Sequence, residues 1–170
     1  GVDKIQLKYF PELAKISHIH TAGNSPAMSD AASITLLSSS KNSASYKYKA
    51  RGKIKAVAVV NDNPLFVLSG CVEATKQLMK NENLSVKDVD MFEIHEAFAS
   101  TIIYAQRELR IPDNKLNVNG GCIALGHPMG ATGSIMLSSL LDEMERQDLS
   151  LGIVSTSGAA GAGTALLIER

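Results

Sequence analysis

Asn119-Gly120-Gly121-Cys122-Ile123-Ala124-Leu125-Gly126-His127-Pro128-Met129-Gly130-Ala131-Thr132-Gly133 runs directly into an apolar-periodic segment, Ser134 to Arg146. Five glycines and one proline in fifteen residues let a backbone turn sharply and approach a ligand, and Pro128 suits the first turn of a helix. The spacing therefore predicts a loop that delivers His127 just ahead of a helix N-terminus. Backbone N–H groups and the positive end of a helix dipole favour negative charge there, and a neutral imidazole adds one more donor. A strand-to-helix turn carrying an ordinary surface histidine has the same local pattern, so this stretch alone leaves both readings open.

Outward from this loop, the chain reads as alternating strands and helices. Downstream lie two strands, Leu151 to Thr156 and Thr164 to Glu169, joined by a Gly/Ala-rich reversal. Upstream, Glu96 to Arg110 places Phe98, Ile102, Ala105 and Leu109 at helical spacing. Before it come a short strand within Val89 to Ile94 and a helix from about Cys71 to Lys80. Lys53 to Val60 begins with alternation and ends apolar on both faces, as a strand in a covered sheet does. Ala31 to Ser38 reads as a further apolar strand, ended by a polar linker over Ser38 to Ser43, and Thr21 to Asp30 as a loop. The opening Ile5 to Phe10 has no fixed period, and His18-Ile19-His20 reads as an edge strand or loop rather than a metal site, lacking Cys, Asp or Glu at ligand spacing. The pattern predicts an α/β layered domain with a mixed sheet.

The totals narrow the function. The chain has 170 residues, 45% hydrophobic and 20% charged, the composition of a globular domain with a proper core. Seventeen basic residues balance seventeen acidic ones, so no bulk field draws nucleic acid or an anionic membrane. Cys71 and Cys122 are far apart, without zinc-ligand spacing, which argues for no metal and for a reduced, cytoplasmic setting. No signal-peptide pattern opens the chain and no apolar run reaches the length of a membrane span.

Three ordered motifs carry a resemblance. Asn117-x-x-Gly120-Gly121 through Gly126-His127-Pro128-x-Gly130-x-x-Gly133 resembles the second signature of the thiolase family. His95-Glu96-Ala97-Phe98-Ala99 precedes it and Ser157-Gly158-Ala159-Ala160-Gly161-Ala162-Gly163 follows it in the family's order. Thr21 to Ser25 and Ser29 to Ala32 add to the likeness. The resemblance implies a thiolase half-domain, a mixed sheet of about five strands covered by helices on both faces. It also implies that residues 1 to about 40 are the tail of a missing N-terminal or loop domain. The C-terminal domain then takes 41–170, with its complete core starting near Tyr46.

The same resemblance assigns roles. His127 stabilises an enolate oxygen on an acyl-CoA and activates a nucleophilic cysteine. His95, asparagine in many thiolases, takes an oxyanion role directly or through water, as in the His-Glu-Ala-Phe enzymes acting on longer acyl chains; a helix cap or packed strand-end histidine is the alternative. Ala97 and Phe98 line the acyl or pantetheine pocket, Phe98 serving equally as core. Glu96 is structural. Ser157 replaces the cysteine that exchanges a proton with the substrate α-carbon, and the Ala159 N–H faces the acyl oxygen. A hydroxyl is a far weaker acid than a thiol of pKa about 8.5, so this departure should slow proton transfer. Cys122 and Cys71 are read as packing.

The nucleophilic cysteine and most of the CoA-embracing loops lie in the family's N-terminal half, so this chain alone is expected to be inactive, whether it is an excised half, a truncated product or one subunit of a split protein. Two hypotheses follow: the C-terminal half of an acyl-CoA thiolase, with the CoA thioester as substrate, no cofactor and homo-oligomeric assembly, or a non-catalytic thiolase-like protein that binds acyl-CoA or a partner subunit. An unrelated α/β module would need all three motifs to match by accident.

Overall fold

Among the described residues four strands build the sheet: β1 (Lys53–Asn61), β2 (Met91–Ile94), β3 (Leu151–Ser157) and β4 (Ala162–Glu169), in the order β1-β4-β3-β2. The helices are α1 (Val2–Gln6), α2 (Ser40–Ser43), α3 (Gly70–Asn81), α4 (Ala99–Leu109), α5 (Cys122–Leu125) and α6 (Thr132–Gln147). This computed structural model describes every residue except Ala44, Tyr46 and Lys47. The domain start read near Tyr46 thus lies outside the described residues.

β3 and β4 form the expected antiparallel hairpin, closed by a tight turn at Ala159–Gly161 in which Ala160 takes φ 59°. β2 pairs with β3 in parallel, which requires a long crossover, and the segment carrying α4, α5 and α6 supplies it. Alternation along the strands sorts their side chains between two cores. Phe92, Ile94, Ile153 and Leu167 join Val72, Leu78, Ala105 and Leu109 on the α3/α4 face. Met91, Val154 and Ile168 join Met136, Leu140 and Met144 beneath α6. Fully buried Phe92, Leu78 and Leu140 each contribute roughly 1.5–3 kcal/mol by leaving water. Helices therefore cover both faces, as expected.

Three expectations change. Among the described residues the sheet has four strands, not about five. The missing one shrinks to a single parallel bridge between Leu116 and Phe92. Beyond it Asn117 enters the left-handed region at φ 44°, and its side-chain amide takes over the pairing: Oδ1 accepts from the Ile94 N–H at 2.8 Å and Nδ2 donates to the Ile94 carbonyl at 2.9 Å. A side chain thus satisfies the edge that further backbone would have paired.

β1 is an edge strand. It turns Ala56, Ala58 and Val60 inward but leaves Val57 and Val59 exposed, because α6 covers β2 and β3 and does not extend to this edge. Ala31 to Ser38 forms no strand: Ile34 is 95% exposed and Leu36 and Leu37 are also exposed, with no neighbouring strand among the described residues to pair them. α1 gives the opening a short helix, and His18-Ile19-His20 is irregular and exposed, with His18 against Asp3. Among the described residues no helix is long and apolar enough to cross a membrane.

Candidate active site

The glycine-rich loop does more than turn. Glycine at 126 is required by two things at once, φ 96° and a Ser29 hydroxyl that would lie 2.5 Å from any Cβ there. This approach lets the upstream segment run alongside, so that the His127 N–H donates to the Ala27 carbonyl at 2.8 Å and Ser33 Oγ donates to the Ala131 carbonyl at 3.0 Å. α5 sits inside the loop, and its entry is tied by Glu96, whose carboxylate accepts from the Ile123 N–H at 3.1 Å and from Asn117 Nδ2 at 3.0 Å. Glu96 thus acts as a structural anchor, joining the strand-end motif to the loop. Pro128 leads into a short turn, Met129–Ala131, and α6 then begins at Thr132.

Thr132 orients the histidine. His127 Nδ1 shares a hydrogen bond with Thr132 Oγ1 at 2.8 Å, which fixes the ring and leaves Nε2 as its free nitrogen. No spacing in the sequence marks Thr132 as the histidine's partner, because the fold of the turn sets that contact.

His95 leaves the end of β2, its N–H donating to the Ser155 carbonyl at 2.9 Å. Its ring meets that of His127 with centroids 4.6 Å apart, tilted by 46°. Burial, and after it the neighbouring His127, push the His95 imidazole down to about 4, with a smaller opposing pull from the Ser157 backbone. His95 is therefore neutral at physiological pH, in the form that can donate a hydrogen bond without carrying charge. Its Nε2 is buried and has no hydrogen-bond partner among the described residues.

Both histidines, together with Ala97, Phe98, Ser157 and Ala159, line one cleft of about 350 Å³, closed on its upstream side by Pro26 and Met28. All six residues singled out in the sequence thus meet in one place. Phe98 packs against His20, with ring centroids 4.7 Å apart and the rings tilted by 47°, and so belongs to the cleft wall rather than the core. Ser157 is held differently from the others. Its hydroxyl donates to the Leu68 carbonyl at 2.8 Å and accepts from the Cys71 N–H at 2.9 Å, pinning the first turn of α3 to β3. Cys122, read as packing, brings its sulfur beside both imidazoles; no spacing in the sequence signals that proximity.

On the opposite side of the loop a smaller cavity of about 120 Å³ reaches Glu93, beneath Cys122, Thr132 and Met136. Glu93 is 2% exposed, and its Oε1 has no partner among the described residues. Burial first, then the Glu96 and Glu143 charges, push its carboxyl up to about 8 from an ordinary 4.5. Between these values the unfolded chain releases a proton that the native state keeps, so this group makes stability fall as pH rises from about 4.5 to 8. Glu93→Gln removes that slope. Urea melts at pH 5 and pH 8 should show the variant gaining on the natural chain at the higher pH, by on the order of 4 kcal/mol. Parallel shifts at the two pH values would contradict a neutral Glu93.

Comparison with known proteins agrees with this arrangement. Residues 48–170 match the family described as thiolase, C-terminal domain. A 3-ketoacyl-CoA thiolase of Serratia proteamaculans (strain 568) is 40% identical over 163 residues, 94% of this chain and 42% of the relative. One from Aliivibrio salmonicida (strain LFI1238) is 39% identical over 153 residues, 88% of this chain and 40% of the relative. The crystal structure of the Bacillus anthracis acetyl-CoA acetyltransferase superposes with a TM-score of 0.82 at 32% identity, covering 88% of this chain and 38% of that one. This chain thus spans about two fifths of the length of the curated relatives it matches. A mixed sheet covered on both faces, a Gly-His-Pro loop facing a His-Glu-Ala-Phe strand end, and a match over most of its length show that the chain belongs to the thiolase family, as its C-terminal domain.

Proposed function

We propose that the chain serves as the C-terminal half of an acyl-CoA thiolase, an acyltransferase that cleaves a 3-ketoacyl-CoA or runs the reverse condensation. The observation that carries this reading is the pair of imidazoles 4.6 Å apart over a single cleft. Carbon–carbon bond cleavage beside a thioester passes through an enolate, and donors aimed at its oxygen lower that barrier. His127, oriented by Thr132, supplies one donor and His95, kept neutral by burial, a second, directly or through a water. The Ala159 N–H serves the acyl oxygen. Ala97 and Phe98 form the wall against which the acyl or pantetheine chain lies. The nucleophilic cysteine and most of the CoA contacts come from an N-terminal half, and CoA thioester is the substrate, with no resident cofactor required. Cytoplasmic location, homo-oligomeric assembly and a place in fatty acid metabolism belong to the same reading.

One observation favours a second reading, a non-catalytic thiolase-like protein that binds acyl-CoA or a partner subunit. Ser157 stands where the family has a proton-exchanging cysteine, and its hydroxyl is engaged with the α3 backbone. The two readings separate by assay: with an N-terminal thiolase half supplied, the first expects CoA-dependent thiolysis of a 3-ketoacyl-CoA, and the second expects binding without turnover. In that two-half protein Ser157→Cys should raise kcat by about tenfold or more, since a thiol ionises far more readily than a hydroxyl. An unchanged kcat would remove position 157 from the proton-transfer step.

A further inference from the structure

The contact between Cys122 and the two histidines has a use outside acyl transfer. We propose that His95, Cys122 and His127 form a binding site for a soft divalent cation of the zinc type, beside the histidine cleft. The three side chains come from separate elements: the end of β2, the first residue of α5 and the residue after Gly126. Their ligand atoms all lie within 4.8 Å of one another. Tetrahedral zinc, with bonds of about 2.0–2.1 Å to nitrogen and 2.3 Å to sulfur, holds its ligands about 3.3–3.8 Å apart. Closing the site therefore asks for movements of about 1 Å, within the reach of small side-chain rotations.

A second observation points to a ligand here. His95 is 6% exposed, and its Nε2 has no hydrogen-bond partner among the described residues. A buried, unsatisfied ring nitrogen beside a thiol and a second imidazole is a donor set that lacks an acceptor for its lone pairs. The surroundings fit as well. Thr132 holds Nδ1 of His127, the outer contact that fixes which nitrogen faces a metal, and the Glu96 carboxylate sits behind Cys122 on the Ile123 N–H, adding negative charge near the cation. Three protein ligands leave a fourth position open toward the cleft that both rings line. Binding ionises the Cys122 thiol and releases its proton to solvent. Because the ion takes the same two imidazoles, metal and substrate exclude each other.

Titration of the full chain with Co²⁺, followed by displacement with Zn²⁺, tests the site by absorbance and so does not depend on the acyl-transfer reading. The expected result is one ion per chain, with a thiolate-to-cobalt charge-transfer band and the intense visible bands of tetrahedral cobalt. Cys122→Ala should abolish the charge-transfer band and weaken Zn²⁺ binding at least tenfold, while Cys71→Ala keeps both. His127→Gln should also weaken binding at least tenfold, which keeps the test sharp should truncation at 122 unfold the chain. A missing charge-transfer band in the natural protein, a band that survives Cys122→Ala, or unchanged affinity in His127→Gln would each overturn the proposal.

Discussion

With an N-terminal thiolase half supplied, His127→Ala should lower kcat for thiolysis of a 3-ketoacyl-CoA by about 10³ to 10⁴, with a much smaller change in KM. Removing one oxyanion donor costs about 10² to 10³ in rate, and loss of a positioned proton acceptor costs about 10² to 10⁴. The resemblance to thiolases implies both tasks for this one ring, donor to the enolate oxygen and activator of the nucleophilic cysteine. The effect should fall on kcat because charge on the thioester oxygen grows mainly in the transition state. Folding should survive the change: the loop is tied through the His127 main chain to Ala27 and through Glu96 to Ile123, and neither link uses the imidazole. Steady-state kinetics with a thermal melt as control checks this. A loss below tenfold in a folded variant would deny His127 its place in the chemistry.

Gly163→Ala should be among the most damaging single-methyl additions in the chain. A Cβ at 163 would lie 2.0 Å from the Gly70 carbonyl oxygen and 2.2 Å from its carbon, while one at Gly70 would lie 2.3 Å from the Ala162 carbonyl oxygen. Backbone meets backbone here, so no flexible side chain can give way. The start of α3 would have to lift off β4, straining the Ser157 bonds to Leu68 and Cys71 that join α3 to β3. Overpacking of this kind costs about 3 kcal/mol or more, a fall in Tm of roughly 6–12 °C for a chain of this size. Gly130→Ala, with nothing within 4 Å of the added carbon, is the matched control and should stay within about 0.5 kcal/mol. Equal melting temperatures for the two variants would show that α3 is not seated on β4 in this way.

The local grammar of the chain was legible in advance. α3, α4 and α6 lie close to where periodicity placed them, and the β3–β4 hairpin follows from two apolar runs around a Gly/Ala-rich reversal. His95, Ala97, Phe98, His127, Ser157 and Ala159 were picked out through their motifs, and they share a cleft. Misreadings cluster where a residue's fate depends on a distant partner. Lys53 to Val60 reads as a strand whether it ends up in the centre of a sheet or at its edge. Ala31 to Ser38 has the composition of a strand but finds no strand beside it. Nothing in the spacing of Asn117 says that its amide will stand in for the next peptide of a fifth strand.

What this sequence determines by itself is therefore short-range: which segments favour helix or extended backbone, where glycine permits a turn, and which motif residues are present to do chemistry. The tertiary structure alone decides that β1 is an edge, that Glu93 loses its charge beneath the loop, that Ser157 bonds to the α3 backbone, and that Cys122 stands beside two imidazoles. Torsional preference and hydrophobic period act over a few residues, whereas burial and pairing depend on which remote segments arrive at the same place.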